Sequence, residues 1–192
     1  MTDLIIILKM ISIPFIRLAG RISWRMGRPF RGRFVRIERI MKNIEPGMVI
    51  LTHKDFEFTN FLIRGYWTHA ALVISGTEIV EAVGEGVTRK SLEEFFSTVD
   101  DFILLKPKFC SDSAMSKAVE FAGKAIGCAY NYYFIPRERS FFCTELVLNA
   151  YAYAIGHEIP KKSIRLQSLD FAGGADYSPQ RLTELKQYWG IV

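Results

Sequence analysis

The sequence is poor in the residues that most often bind metals or form covalent cross-links. Its 192 residues include only three cysteines and three histidines. The cysteines are Cys110, Cys128 and Cys143, and none of them belongs to a C-x-x-C unit. This odd, widely spaced set supports neither a zinc knuckle nor a disulfide framework. We therefore expect free thiols in a cytoplasmic protein that uses no metal and no organic cofactor.

The sequence also lacks a long uninterrupted apolar run. Its best candidate, residues 4–18, contains Lys9, Pro14 and Arg17, and it is shorter than the roughly 20 apolar residues that cross a bilayer. No small-residue cleavage site follows it cleanly, so an export signal is not indicated. Internal repeats and low-complexity segments are absent as well, and 192 residues suit one folded domain.

Positive charge is concentrated near the N-terminus. Residues 1–43 carry ten lysines and arginines against Asp3 and Glu38, while the rest of the chain is slightly acidic. Together with interspersed aromatic residues, this pattern is typical of a helical leader that binds a membrane surface, here through residues 1–40. The alternatives are a helix packed on the protein's own surface and a membrane-spanning segment. No recognition motif accompanies the arginines, so no nucleic-acid partner is expected.

A turn at residues 43–47 separates this leader from a domain over residues 44–192. Short runs rich in Val and Ile predict strands over 48–52, 68–75, 77–83 and 102–106, with a hairpin turn at Ser75-Gly76 and Pro107 ending the last strand. Helical spacing predicts helices over 111–126 and 140–155, the second with Ser140 as its N-cap and Gly156 as its stop, before an irregular tail. This order predicts an α+β fold with an antiparallel sheet packed against helices.

Cys143 is the strongest candidate for a chemical role. In the predicted helix it lies in the first turn, where the positive end of the helix dipole and the unpaired N–H groups favour a thiolate. The same N–H groups are suited to stabilise an oxyanion. Against this stands the common alternative that a free cysteine is simply a small buried apolar residue.

A thiol nucleophile needs a base, and His69 is the best of the three histidines. It begins an otherwise apolar strand, where an imidazole without a partner costs free energy. His53, followed by Lys54 and Asp55, is expected at a solvated strand end, and His157 follows the Gly156 helix stop. Neither position suggests a special role.

Glu81 is the candidate that would orient the base. It lies on the strand that pairs with the His69 strand through the hairpin turn, and pairing near residues 70 and 81 would make His69 and Glu81 cross-strand neighbours. Glu78 is closer to the turn and faces the other side of the sheet. A glutamate on the solvent face of a strand is the ordinary alternative for both residues.

These residues resemble a known family. The stretches that carry the resemblance are Pro46-Gly47, Ile50-Leu51-Thr52, Thr68 to Ile74, Val80-Glu81-Ala82, Gly86-Val87, the Gly127-x-x-Tyr130-Asn131 element and Phe142 to Val147. Over residues 46–155 they look like the circularly permuted papain-like amidases of the NlpC/P60 group, and more narrowly the YiiX/YaeF-like members. In that group the chain order is histidine, acidic residue, then cysteine on a helix.

The resemblance implies a permuted papain-like fold and a cysteine hydrolase that cleaves an amide bond in a peptide-like substrate, such as a cell-wall peptide. It implies Cys143 as nucleophile, His69 as general base and acid, and Glu81 as the orienting residue. Tyr130 is a candidate substrate-binding residue, although a core tyrosine would explain it nearly as well, and Tyr66, just ahead of His69, is a second candidate. Thr144 replaces the serine that the family often has.

Two other functions remain open at the level of sequence. A membrane-associated acyltransferase or esterase would use the same Cys–His pair on lipid acyl groups. A binding module of the same fold would need no catalysis at all, although it would also have no need of all three residues.

Overall fold

The computed structural model describes residues 37–38, 40–55, 66–108, 110–132, 138–156 and 189–191. The predictions for residues 1–36, including the membrane surface, and for His157 lie outside the described residues. Within the described residues, no helix combines the length and the apolar character that crossing a bilayer requires.

The centre of the protein is a six-stranded sheet in which every pairing is antiparallel. Its strands are β1 (Val49–His53), β2 (His69–Val73), β3 (Glu78–Val83), β4 (Gly86–Ser91), β5 (Asp101–Pro107) and β8 (Trp189–Ile191). They lie in the order β4-β3-β2-β1-β5-β8. Two shorter strands, β6 (Ala129–Tyr130) and β7 (Ser140–Phe141), pair in parallel with each other.

Helices cover both faces of this sheet. On one face, α1 (Leu92–Ser97) packs its apolar side chains against Ile50 and Ile79. On the other, α2 (Asp112–Ala125) and α3 (Cys143–Ile155) form a shared core with Leu51 and Leu72. The α+β class and the antiparallel sheet packed against helices are therefore confirmed.

Two predicted helices are present, and one of them begins later than predicted. The helix α2 has Ser111 as its N-cap, with the Ser111 hydroxyl accepting a hydrogen bond from the Ala114 N–H. The helix α3 ends at Gly156, whose φ of 74° is left-handed, but it starts at Cys143 with Phe142 as N-cap. The prediction of Ser140 as the N-cap is wrong, because Ser140 belongs to β7.

Other elements did not follow from the sequence pattern. The strand β4 and the helix α1 were not expected, and residues 189–191 form β8 where an irregular tail was predicted. Pro107 is the last residue of β5 and not the first residue after it, and it pairs with Trp189 of β8.

Gly86 brings the end of the β3–β4 hairpin against the segment that precedes β6. Its φ is +120°, and a Cβ at this position would lie 2.6 Å from the Cys128 carbonyl oxygen. The next residue, Val87, donates its N–H to that same carbonyl at 2.9 Å. This close backbone approach requires glycine, and it joins the sheet to the segment that carries Tyr130.

Candidate active site

Cys143 is the first residue of α3, and its position follows from how the preceding backbone is held. Phe142 is extended, with φ −95° and ψ 169°, and its N–H donates to the Glu145 carboxylate at 3.2 Å. The helix therefore starts abruptly after β7, and Cys143 lies among the N–H groups of the first turn, which have no partner within the helix. The expectation that Cys143 lies in the first turn is met despite the different N-cap.

The Cys143 thiol is only 6% exposed, yet its surroundings favour the thiolate. Burial alone would raise the pKa of Cys143. Hydrogen bonding and charge from His69, with smaller contributions from the Thr144 hydroxyl and the Ala70 backbone N–H, outweigh burial and lower it. The Thr144 Oγ1 lies 3.7 Å from the sulfur. Cys143 is therefore buried, and its neighbours nevertheless lower its pKa.

His69 is the first residue of β2, and it contacts both of its predicted partners. Its Nε2 lies 2.8 Å from Glu81 Oε2, which leaves Nδ1 for the interaction with the Cys143 thiol. Burial alone would lower the pKa of His69, but the hydrogen bonds and negative charges of Cys143 and Glu81 raise it to about 10. Both shifts therefore favour a thiolate beside an imidazolium over the neutral pair.

The histidine reaches two faces of the sheet because it stands at the end of its strand. Its ring lies 6.4 Å from the ring of Phe95, which belongs to the α1 side of the sheet. Cys143 belongs to the core formed with α2 and α3 on the opposite side. An imidazole in the middle of β2 could not bridge these two layers, because the strand itself would separate them.

Glu81 is placed by a register that differs by one residue from the prediction. Ala71, not residue 70, pairs with Glu81. Because side chains alternate along a strand, this register puts His69 and Glu81 on the same face as diagonal neighbours, whereas the predicted one would have put them on opposite faces. Glu78 faces away from Glu81 and binds Arg89 at 3.6 Å.

The Glu81 carboxylate is almost fully buried, with 4% of its side chain exposed. Burial alone would raise the pKa of Glu81, but the His69 hydrogen bond and charge, followed by the charge of Lys90, hold it at about 2. The Lys90 ammonium donates to Glu81 Oε1 at 2.9 Å. Sequence reasoning missed Lys90, since a lysine next to an arginine in a polar run gives no signal of such a role.

A second buried carboxylate, Glu145, ties the start of α3 to the segment after β6. Its Oε2 accepts hydrogen bonds from the Phe142 N–H and from Asn131 Nδ2 at 3.0 Å. Asn131 is itself buried, and its N–H binds the Phe141 carbonyl. Burial raises the pKa of Glu145 to about 7, against the lowering effect of Asn131 and Phe142.

The two tyrosines predicted to bind substrate lie in different surroundings. Tyr130 is next to the site: burial raises its pKa well above the ordinary value, and the charge of Cys143 raises it further. Tyr66 is 49% exposed; its ring stacks on His53, and its hydroxyl donates to Asp101 at 3.0 Å. Both assignments remain predictions. His53 ends β1 as expected, and its side chain is partly exposed, at 15%.

Thr52 adds an unusual polar group beside the histidine. It pairs directly with His69 across β1 and β2, and its side chain is fully buried. Within the described part of the chain, its hydroxyl is a buried side-chain atom without a hydrogen-bond partner.

Two comparisons with known proteins agree on the fold. The sequence profile of the permuted papain-like amidase enzymes (YaeF/YiiX, C92 family) matches residues 43–184, which is well over half of the chain. A crystal structure of the metalloprotein YiiX from Escherichia coli O157:H7 superposes with a TM-score of 0.56 at 18% identity, over 74% of this chain and 81% of that one. Among curated proteins no match was found.

That YiiX protein is described as a metalloprotein. Over the described ranges, no group of three or more His, Cys, Asp or Glu side chains is arranged to hold a metal ion.

Proposed function

Because the chain belongs to the YaeF/YiiX family of permuted papain-like amidases, we propose that it is a cysteine hydrolase that cleaves an amide bond through Cys143, His69 and Glu81. The observation that supports this most directly is the position of His69 between the other two side chains. It binds Glu81 at 2.8 Å and interacts with the Cys143 thiol, whose pKa it lowers.

The first step is attack by the Cys143 thiolate on the substrate carbonyl carbon. A carbon–sulfur bond forms, and the carbonyl oxygen becomes an oxyanion that the first-turn N–H groups of α3 stabilise. The His69 imidazolium then gives its proton to the departing amine as the carbon–nitrogen bond breaks. The product of this half-reaction is an amine and a thioester on Cys143.

The second step returns the enzyme to its starting state. His69, now neutral, takes a proton from water, which attacks the thioester carbonyl. Collapse of the new tetrahedral intermediate breaks the carbon–sulfur bond, releasing a carboxylic acid and the Cys143 thiolate. Throughout, Glu81 holds the Nε2–H so that Nδ1 exchanges the proton with sulfur, amine or water.

The substrate we propose is a small peptide or peptide-like amide. Tyr130 is the residue we propose to line its binding site, since its hydroxyl-bearing ring is buried within electrostatic range of Cys143. Tyr66 is a second candidate at the same end of the sheet, three residues before His69.

The test traps the thioester and needs no knowledge of the natural substrate. Incubation with the p-nitrophenyl ester of an acetylated dipeptide should add one acyl mass to the intact protein, located on Cys143 by peptide mass spectrometry. Cys143→Ser should abolish the adduct. His69→Gln should slow its formation by roughly a hundredfold or more, and Glu81→Gln by about tenfold, since an amide oxygen can still accept the Nε2–H.

Matched controls separate these roles from general damage. Cys110→Ser and Glu78→Gln change the same residue types outside the proposed triad and should acylate at the wild-type rate. Unchanged acylation in Cys143→Ser or His69→Gln would overturn the proposal. A dipeptide amide and a phospholipid supplied as competing acyl donors would then distinguish the amidase from the lipid acyltransferase or esterase that uses the same pair.

A further inference from the structure

Both oxygens of the Glu81 carboxylate have a cationic or ionisable partner. Oε2 accepts from His69 Nε2 at 2.8 Å, and Oε1 accepts from Lys90 Nζ at 2.9 Å. The Glu81 side chain is 4% exposed, whereas Lys90 is 28% exposed. The carboxylate is therefore held at both ends, one of them by a residue that no step of the proposed mechanism uses.

The sheet register explains why these three side chains meet. Glu81 pairs with Ala71 on one side and with Thr88 on the other. His69 and Lys90 are each two residues beyond those partners, so both are diagonal neighbours of Glu81 on the same face of the sheet. The three residues form a row across β2, β3 and β4.

Charges alternate along this row and continue to the nucleophile. The thiolate of Cys143, the imidazolium of His69, the carboxylate of Glu81 and the ammonium of Lys90 sum to zero. Without Lys90 the same buried group would carry a net negative charge, which is costly away from water. A free carboxylate would also be able to rotate about its last side-chain torsion and leave the imidazole.

We propose that Lys90 is a positioning residue for the catalytic histidine: by binding Oε1 it keeps Oε2 of Glu81 on Nε2 of His69, and so keeps Nδ1 directed at Cys143. This inference rests on the proposed function of the triad. It differs from it in assigning a role to a residue that touches neither the substrate nor the nucleophile.

The sign of one measurable shift separates positioning from a simple charge effect. If Lys90 positions Glu81, its loss weakens the His69 imidazolium, and His69 then loses its proton at a lower pH. If Glu81 stays in place without Lys90, loss of a nearby positive charge stabilises the imidazolium, and His69 loses its proton at a higher pH. Besides Glu81, the charged groups near Lys90 are Glu94 and Glu85, and the other ionisable group near His69 is Cys143.

The experiment is the pH titration of the His69 ring signals by NMR on the full-length protein, assigned by their loss in His69→Gln, with the rate of Cys143 alkylation by iodoacetamide measured alongside. Lys90→Met should lower the midpoint of the His69 titration by about one pH unit, and Lys90→Arg, which keeps a cationic donor, should return it most of the way. Arg89→Met removes a cation from the adjacent position of β4, which faces Glu78, and should leave the midpoint unchanged.

Each possible result supports or contradicts one of the two proposals. An unchanged or raised His69 midpoint in Lys90→Met, with thermal unfolding showing a folded protein, overturns the inference. If Lys90→Met does not fold, Lys90→Gln takes its place and the same shift is required. A wild-type Cys143 that alkylates no earlier in pH than an ordinary thiol would instead count against the proposed function, because this readout measures thiol ionisation without any substrate.

Discussion

At the scale of single residues, Cys143 and Cys110 have environments that move their pKa values in opposite directions. Burial and the charge of Asp112 raise the pKa of Cys110. At Cys143 burial acts in the same direction, but His69 outweighs it and lowers the pKa. Burial alone therefore does not distinguish a reactive cysteine from an inert one; the neighbouring cation does.

This contrast predicts the order of thiol reactivity. At pH 7 iodoacetamide should modify Cys143 faster than Cys110, because the pKa of Cys143 is lowered and that of Cys110 is raised. His69→Ala should slow Cys143 modification about tenfold or more, since burial is then unopposed. Peptide mass spectrometry of the alkylated protein measures both rates. Equal rates at Cys143 and Cys110 in the wild type would contradict the prediction.

The pKa shifts of His69 and Glu81 determine how the stability of the fold changes with pH. The raised pKa of His69, about 10, means that the imidazolium contributes stability fully below its ordinary value and loses it as pH rises toward 10. The lowered pKa of Glu81, about 2, means that the carboxylate contributes stability above its ordinary value and loses it as pH falls toward 2. The charged His69 and Glu81 side chains therefore contribute most to stability at pH values between these two limits.

At the scale of elements, the join between β7 and α3 depends on Glu145. Its carboxylate binds the Phe142 N–H and Asn131, yet its pKa is raised to about 7. Because this pKa lies above the ordinary value, the contribution of Glu145 to stability is fully present at acid pH and is lost as pH rises through 7.

We therefore expect Glu145→Gln, which accepts the same hydrogen bonds without a charge, to be more stable than the wild type at pH 8, by about 1 kcal/mol, and nearly equal to it at pH 5. Urea unfolding at the two pH values measures the difference. Glu120→Gln, an exposed change on α2, is the control and should show no comparable gain at pH 8. A destabilised Glu145→Gln at pH 8 would show that the charge itself is needed.

The strands and helices also show which features of the fold could be predicted from the sequence. Short apolar runs rich in Val and Ile located β1, β2, β3 and β5, and capping signals located α2, because these patterns are local. The register of Glu81 against Ala71 was missed by one residue, since a three- to five-residue turn does not fix it from sequence. β4 was missed because its run, Gly86–Ser91, is mostly polar: Lys90 points toward a buried carboxylate that only the folded sheet supplies.

At the scale of the whole molecule, the last residues of the predicted leader pack against the core of the domain. Ile37, Ile40 and Met41 are partly buried against the core that includes Ile44 and Met48. These three side chains precede the predicted boundary at residue 43, so part of the leader contributes to the packing of the domain.

We expect a protein that starts at residue 44 to be less stable than one that starts at residue 37 by roughly 2 kcal/mol of unfolding free energy, because three partly buried apolar side chains are removed. Thermal and urea unfolding of both truncated proteins measure this. Equal stability of the two would show that the packing contributes little.

The same truncation tests the predicted membrane surface. Residues 1–36 contain eight of the ten leader lysines and arginines. If they bind anionic lipid, the full chain should float with phosphatidylserine vesicles at low salt and the protein starting at residue 37 should not. Flotation of the shorter protein would place the lipid contact elsewhere.

The buried Thr52 hydroxyl beside His69 carries a thermodynamic consequence. A hydroxyl that loses its contacts with water and gains no partner costs about 1 kcal/mol or more, so the wild-type sequence gives up stability at this position. Thr52→Val keeps the shape of the side chain and should raise the folded-to-unfolded ratio about fivefold, seen as a higher urea midpoint. If the same change slows Cys143 acylation, the Thr52 hydroxyl supports the function of His69 at the expense of stability. If acylation is unchanged, Thr52→Val stabilises the fold without loss of activity.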